Sequence, residues 1–386
     1  MTTISDVGTA SSPVRLTGGG DHRGSWIPTW SMVTTRLLEL RKRRGLMIAL
    51  AAVYIGIPIL FLGIRLISHA VDPKSYGPAG GYDVFETATA GFMYVFGFIV
   101  AAVVGATAGS ADLTEGMFRH LVITGRSRLA LYLARIPAGL AVVVAMVAIG
   151  YTIVCAVCVF AAPTQLNYDG VSVPPSLSRP AFANWAASHP NPVICNFNYH
   201  VPPNVQPPNV PCGNGPSVIK TPNGTITVPP QATPAQIRTF AIEVADQNYH
   251  DYRATFLAPS ITLMFDVGLW ISLEAAIGLI VGLGLGSLIG QRTVPVILLV
   301  ALELILTPLF SMHVIPYMLN AERAIVGVAM LHLEPGGLPV PFSGGGPGGG
   351  PSGLISESTL VSSLVIVAWL VFWTGIGAWR MTTRDT

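Results

Sequence analysis

Six long apolar stretches divide this chain, and no other feature of the sequence limits its fold as much. They run roughly over 47–67, 89–109, 134–162, 261–289, 294–317 and 358–379. A helix needs about 20 apolar residues to cross ~30 Å of hydrocarbon. Within a bilayer, only a helix or a closed barrel satisfies its own backbone. Hydrophobic residues make up 51% of the chain, charged residues 10%, and the mean hydropathy is +0.59. A soluble domain carries about 25% charge, so 21 Lys+Arg and 19 Asp+Glu cannot cover a water-soluble globule of 386 residues. The same hydrophobicity excludes a disordered chain. The expected fold is an all-α membrane protein with six transmembrane helices. The first stretch follows a polar and basic segment and no small-residue cleavage site follows it, so it is expected to be a span and not a signal peptide.

Charge orients the spans. Lys and Arg concentrate on the cytoplasmic side, close to the ends of membrane helices. Arg15, Arg23, Arg36, Arg41, Lys42, Arg43 and Arg44 precede span 1, and Arg119, Arg126, Arg128 and Arg135 follow span 2. Arg292 lies between spans 4 and 5, and Arg380 and Arg384 follow span 6. Both termini are therefore expected to be cytoplasmic, as an even number of spans also requires. The net charge of +2 forms no single basic patch, so nucleic acid is not an expected partner.

Residues 1–25 are expected to be a disordered cytoplasmic tail, and 26–46 an amphipathic helix lying in the headgroup layer. In the latter, Trp30, Val33, Leu37 and Leu40 recur at helical steps beside the run Arg41-Lys42-Arg43-Arg44. Residues 47–162 hold spans 1–3 with a cytoplasmic loop at 110–130. Residues 163–258 form a large extracytoplasmic loop between spans 3 and 4, and 259–318 hold spans 4 and 5. Residues 319–357 are an extracytoplasmic Gly- and Pro-rich segment, and 358–386 are span 6 and a cytoplasmic tail. In the large loop, Ser217–Val228 predicts a hairpin around Asn223-Gly224, and Thr233-Pro234-Ala235-Gln236 predicts a capped helix start. Cys195 and Cys212 share that loop and are expected to form a disulfide in an oxidising compartment. The apolar segment Ala324–Leu331 is too short to cross and is expected to be a partial re-entrant or interfacial helix.

Two sets of small residues recur every fourth position: Gly97, Ala101, Gly105 and Gly109 in span 2, and Gly278, Gly282, Gly286 and Gly290 in span 4. Such a strip lets another helix backbone approach closely. Its partner helix is not legible, within one chain or between two. Three carboxylates fall in or near the apolar stretches: Asp266, Glu274 and Glu303. Intramembrane carboxylates cost at least ~2.5 kcal/mol on insertion scales. They mark either a substrate or proton path or structural hydrogen bonds between helices. Cys155 and Cys158 have only apolar neighbours and read as inert thiols.

No G-x-x-x-x-G-K-[ST], G-x-S-x-G or H-E-x-x-H motif is present, so no ATPase, hydrolase or zinc-protease chemistry is expected of this chain. The loop after span 2 reads Gly109-Ser110-Ala111-Asp112-Leu113-Thr114-Glu115-Gly116-Met117-Phe118-Arg119, then Gly125-Arg126-Ser127-Arg128. This pattern resembles the membrane subunits of the ABC type-2 transporter (permease) family. Glu115-Gly116 and Ser127-Arg128 hold the places of that family's acidic turn and Ser-Arg break, while Met117 and Gly125 depart from its usual Thr and Pro. The resemblance implies that Asp112, Glu115, Gly116, Arg119, Arg126, Ser127 and Arg128 form a loop that docks on a cytoplasmic ATPase subunit. That subunit would bind the ATP and Mg, with no cofactor in this chain. It further implies a second permease subunit, export of a small molecule or lipid-like compound, and a bacterial cell membrane as location. An ion-gradient-driven transporter and a membrane scaffold or sensor with an outer binding loop are the alternatives.

Overall fold

The computed structural model describes residues 26–72, 79–114, 127–162, 166–168, 171–174, 177–190, 217–221, 224–228, 233–247, 249, 258–302, 305, 323–335 and 357–383. A first helix, α1 (Trp30–Lys42), leads into α2 (Arg44–Val71), α3 (Val84–Ala111) and α4 (Arg128–Phe160). A short hairpin pairs β1 (Leu166–Tyr168) with β2 (Val171–Val173), and α5 (Arg179–Ser188) follows. A second hairpin pairs β3 (Ser217–Thr221) with β4 (Gly224–Val228) ahead of α6 (Pro234–Gln247). The chain continues through α7 (Ile261–Ile289), α8 (Thr293–Ala301), α9 (Val326–Leu331) and α10 (Thr359–Thr383).

Among the described residues, five helices are long and apolar enough to cross a membrane: α2, α3, α4, α7 and α10. The protein is thus a helical, membrane-type bundle. The expected fifth span, 294–317, begins as α8, and its second half lies outside the described residues. Cys195 and Cys212 also lie outside them. The predicted hairpin forms, with Thr221 opposite Gly224 and Lys220 opposite Thr225, and Asn223 lies outside the described residues. The predicted cap forms as well. The backbone N–H of Thr233 donates to Gln236 Oε1 at 2.8 Å, and the Gln236 N–H donates to Thr233 Oγ1 at 3.4 Å.

We call the end of the bundle that carries α1 basal and the opposite end distal. At the distal end, the backbone N–H of Gly81 donates to the Cys158 carbonyl at 2.8 Å, seating the α2–α3 connection on the last turn of α4. Gly81 has φ 93°, a value that suits glycine. At the basal end α1 packs along α4. There, Met32 joins Ala130, Leu131 and Ala134 in a small apolar cluster.

Two spans carry π segments. In α2, residues Ala52–Gly56 form a π turn, and Pro58 follows. Proline offers no N–H to the carbonyl four residues back, which here is Tyr54. That carbonyl faces Gly150 of α4, where a Cβ would collide with it. The π turn thus sits where the proline breaks the hydrogen-bond ladder. In α3 the π segment is Thr87–Tyr94. The Thr89 hydroxyl donates back to the Phe85 carbonyl at 2.8 Å, a local bond that competes with the helical pattern. Phe61 and Phe92, one from each helix, meet with ring centroids 5.1 Å apart.

Candidate functional site

The two glycine strips meet each other. Helices α3 and α7 form the most extensive pairing in the bundle, and the glycines make it a contact between backbones. A Cβ on Gly109 would stand 2.5 Å from the Leu283 carbonyl, and one on Gly286 would stand 2.6 Å from that of Ala106. A Cβ on Gly278 would stand 2.5 Å from the Phe98 carbonyl. Gly105 faces the Leu279 carbonyl and Gly282 that of Ala102, closer still. Each strip therefore seats in the groove of the other. Gly290 ends α7 with φ 75°, its N–H donating to the Gly286 carbonyl at 2.9 Å.

Gly97 does not join this seam. It faces the ring of Tyr54 on α2, whose hydroxyl donates to the Gly97 carbonyl at 2.8 Å. Glu274, one turn before Gly278, is 1% exposed and close enough to the Tyr54 phenol to interact with it electrostatically. Tyr54 is itself fully buried. A buried carboxylate, a buried phenol and a π turn thus converge between α2, α3 and α7. Asp266, two turns earlier on α7, is exposed and lies away from this point. Glu303 lies outside the described residues.

Further along, the Tyr94 ring stacks on Trp270 with centroids 4.3 Å apart and planes 5° from parallel. The Trp270 indole N–H donates to the Met330 carbonyl at 2.9 Å. That carbonyl belongs to α9, all six of whose residues are buried. From α10, the Trp369 indole N–H donates to the Ala324 carbonyl at 2.8 Å. Trp270 stands roughly 13 Å along α7 from its distal start at 1.5 Å per residue. The segment around α9 therefore dips into the bundle and is held by two indoles.

The basal end carries the loop residues. Arg135, 3% exposed, donates through Nη1 to the Gly109 carbonyl at 3.1 Å. The Ser287 hydroxyl reaches the same carbonyl at 3.4 Å. A small cleft here is lined by Arg36, Glu39, Leu40, Ala108 and Arg135. Within it Arg36 pairs with Glu39 at 2.6 Å, and Arg43 approaches the other oxygen of Glu39 at 3.5 Å. Ser127 precedes α4 in extended backbone, and Arg128 donates to the Thr382 carbonyl of α10 at 3.3 Å. Asp112 falls on the last turn of the helix that contains α3. Glu115, Gly116, Arg119 and Arg126 lie outside the described residues.

Sequence reasoning missed Tyr54, Trp270, Trp369 and the helix α5. The signal for the first three was present, because a buried Tyr or Trp must place its polar tip on a partner. Helix α5 packs on α6 through a fork in which Arg179 Nε and Nη2 donate to Asp246 at 2.5 and 2.8 Å. That hydrogen bond holds the Asp246 carboxyl below its usual range. Its contribution to the α5–α6 pairing is therefore present above the ordinary aspartate pKa and lost as the pH falls below the depressed one. Arg179→Ala is expected to speed amide exchange a few-fold in α5 and α6 alone, as suits an exposed pair. That difference should vanish in acid strong enough to protonate Asp246, with exchange read by mass spectrometry.

No family model matches the sequence, and neither characterised proteins nor solved structures provide a match.

Proposed function

We propose that this chain is the membrane subunit of a transporter driven by a separately encoded cytoplasmic ATPase. In this reading it works as a pair of permease subunits and exports a small or lipid-like compound. The basal end is cytoplasmic, and α1 lies in the inner headgroup layer. The observation that carries the reading is the setting of the loop between α3 and α4. Its two described ends, Thr114 and Ser127, leave the bundle at the end that α1 flanks. Around them, Arg135 grips the backbone of α3 and Arg128 that of α10. A force applied to this loop would pass to three spans through those bonds, and to α7 through the glycine seam. The charges of Glu115, Arg119 and Arg126 and the apolar Met117 and Phe118 suit a protein groove. Trp30 (79% exposed) and Leu38 (54% exposed) on α1 suit the lipid interface beside Arg41 and Lys42.

The test is copurification from the native membrane followed by mass spectrometry. An ATPase with a Walker motif should accompany the tagged chain. The double reversal Glu115→Lys with Arg119→Glu should lower its yield at least about tenfold, since like-charge juxtapositions at an interface cost several kcal/mol. Undiminished association and ATPase stimulation in the double variant would remove the assignment of this loop.

A further inference from the structure

The headgroup layer in which α1 is placed holds lipids of more than one charge, and the join between α1 and α2 selects among them. Arg41 and Lys42 close α1 and Arg44 opens α2, all three exposed. Arg43 between them leaves helical backbone, with φ −78° and ψ 77°. Cations suit this place, because the last carbonyls of α1 present the negative end of its dipole. Glu39 is the only carboxylate between residues 26 and 71. It is engaged by other cations: Arg36 reaches one of its oxygens at 2.6 Å and Arg43 the other at 3.5 Å. Among the described residues, Arg41, Lys42 and Arg44 hold no ion pair and no side-chain hydrogen bond.

Helix α1 sorts its residues by face. At about 100° per residue, Trp30, Leu38, Arg41 and Lys42 share an arc of roughly 120°. Met32, Arg36 and Leu40 occupy the opposite arc. Met32 packs on α4 and Leu40 joins the main core, so the first arc points away from the bundle. On that arc Trp30 and Leu38 are exposed as well. Trp30 stands about 16 Å along the axis from Arg41. An apolar body with a basic end fits a lipid surface with negative headgroups. An acidic face of a soluble protein would match the cations and leave Trp30 and Leu38 in water.

We propose that Arg41, Lys42 and Arg44 form a binding surface for the phosphates of anionic phospholipids, which α1 gathers from the layer in which it lies. The guanidinium forks of Arg41 and Arg44 donate to phosphate oxygens, and Lys42 adds a point charge. This surface requires that α1 lie in the headgroup layer, as the proposed function has it, and it requires no ATPase.

The test uses the full chain with Leu38→Trp, in nanodiscs of phosphatidylcholine with a minor share of lipid brominated near the headgroup. Position 38 lies within about one helical turn of Arg41 and Lys42, and bromine quenches an indole that it touches. Subtracting the emission of the chain without this substitution isolates the new indole from the seven native ones. Brominated phosphatidylglycerol should quench it at a mole fraction at least about fivefold lower than brominated phosphatidylcholine, the factor that one basic residue contributes beside an anionic surface. The triple substitution Arg41→Gln, Lys42→Gln and Arg44→Gln should bring the two lipids level. Should that variant fail to insert, salt reports instead. The preference should fall toward one at about 1 M, where the screening length is ~3 Å. Equal quenching by the two lipids with the basic residues intact would overturn the surface and leave α1 in the headgroup layer. Quenching by neither would remove the headgroup placement along with the surface, and would turn the three cations toward a protein partner. A phosphatidylglycerol preference that survives both neutralisation and salt would also overturn the surface, because the anionic lipid would then be held elsewhere.

Discussion

Gly282→Leu is expected to abolish the folded bundle, leaving aggregated chain where the parent elutes as one species by size-exclusion chromatography. The cause is the contact between backbones at the α3–α7 seam. Any Cβ at Gly282 falls on the Ala102 carbonyl, and a carbonyl locked in a helical ladder cannot turn aside as a side chain would. Overpacking a core ordinarily costs about 1–3 kcal/mol, and that range assumes neighbours able to shift. At this position the helix axes would have to separate, with loss of contact at Gly105, Gly109, Gly278 and Gly286 together. Native stability of roughly 5–15 kcal/mol leaves little room for such a loss. Gly375→Leu in α10 is the matched control, because nothing lies within 4 Å of a Cβ at that position. Equal behaviour of the two variants would show that the seam does not hold the bundle.

Trp270→Ala should be the next most damaging change, lowering stability by about 3–5 kcal/mol as large aromatic truncations do. It removes the ring stacked on Tyr94 and the donor that satisfies the Met330 carbonyl. Trp270→Phe keeps an aromatic ring and loses the donor and part of the indole's volume, so its cost should fall clearly below that of alanine. Unfolding midpoints in detergent, read for the three chains, separate the two contributions. Equal midpoints for alanine and phenylalanine would mean that the stack contributes nothing.

Much of this architecture was legible because bilayer physics leaves few choices. Long apolar runs must be helices, so α2, α3, α4, α7 and α10 could be placed from residue type alone. The β3–β4 hairpin and the cap at Thr233 were legible for a local reason, since turn and cap chemistry is decided within a few residues. The pairing of the two glycine strips was not. A period of four marks a face that welcomes a backbone without saying whose, and only the three-dimensional arrangement brings Gly282 to Ala102. The approach of His332 to Glu357 was invisible for a related reason, since one lies after α9 and the other just ahead of α10. Asp266 and Glu274 looked alike as carboxylates in one apolar run, yet one faces outward and the other is enclosed. Helical phase relative to neighbours, absent from a single chain read in line, separates them. The π turns belong to the same class, although Pro58 was a visible cause for the first.

The seam also constrains how the molecule can change shape. Two helices whose main chains touch have no side chains between them to rotate or repack, so α3 and α7 must travel as one rigid body. Displacement along their shared axis would succeed only in steps of one helical turn, about 5.4 Å, because intermediate offsets lose the register that seats each glycine against a carbonyl. The least enclosed spans are α2 and α10. In α2 and α10 only 22% and 17% of the spanning window is buried, against 67% in α3 and in α7. Helix α2 also carries a proline next to its weakened turn. The π turn and proline of α2 make it the span built to bend, and the paired centre is the fixed shaft beside it.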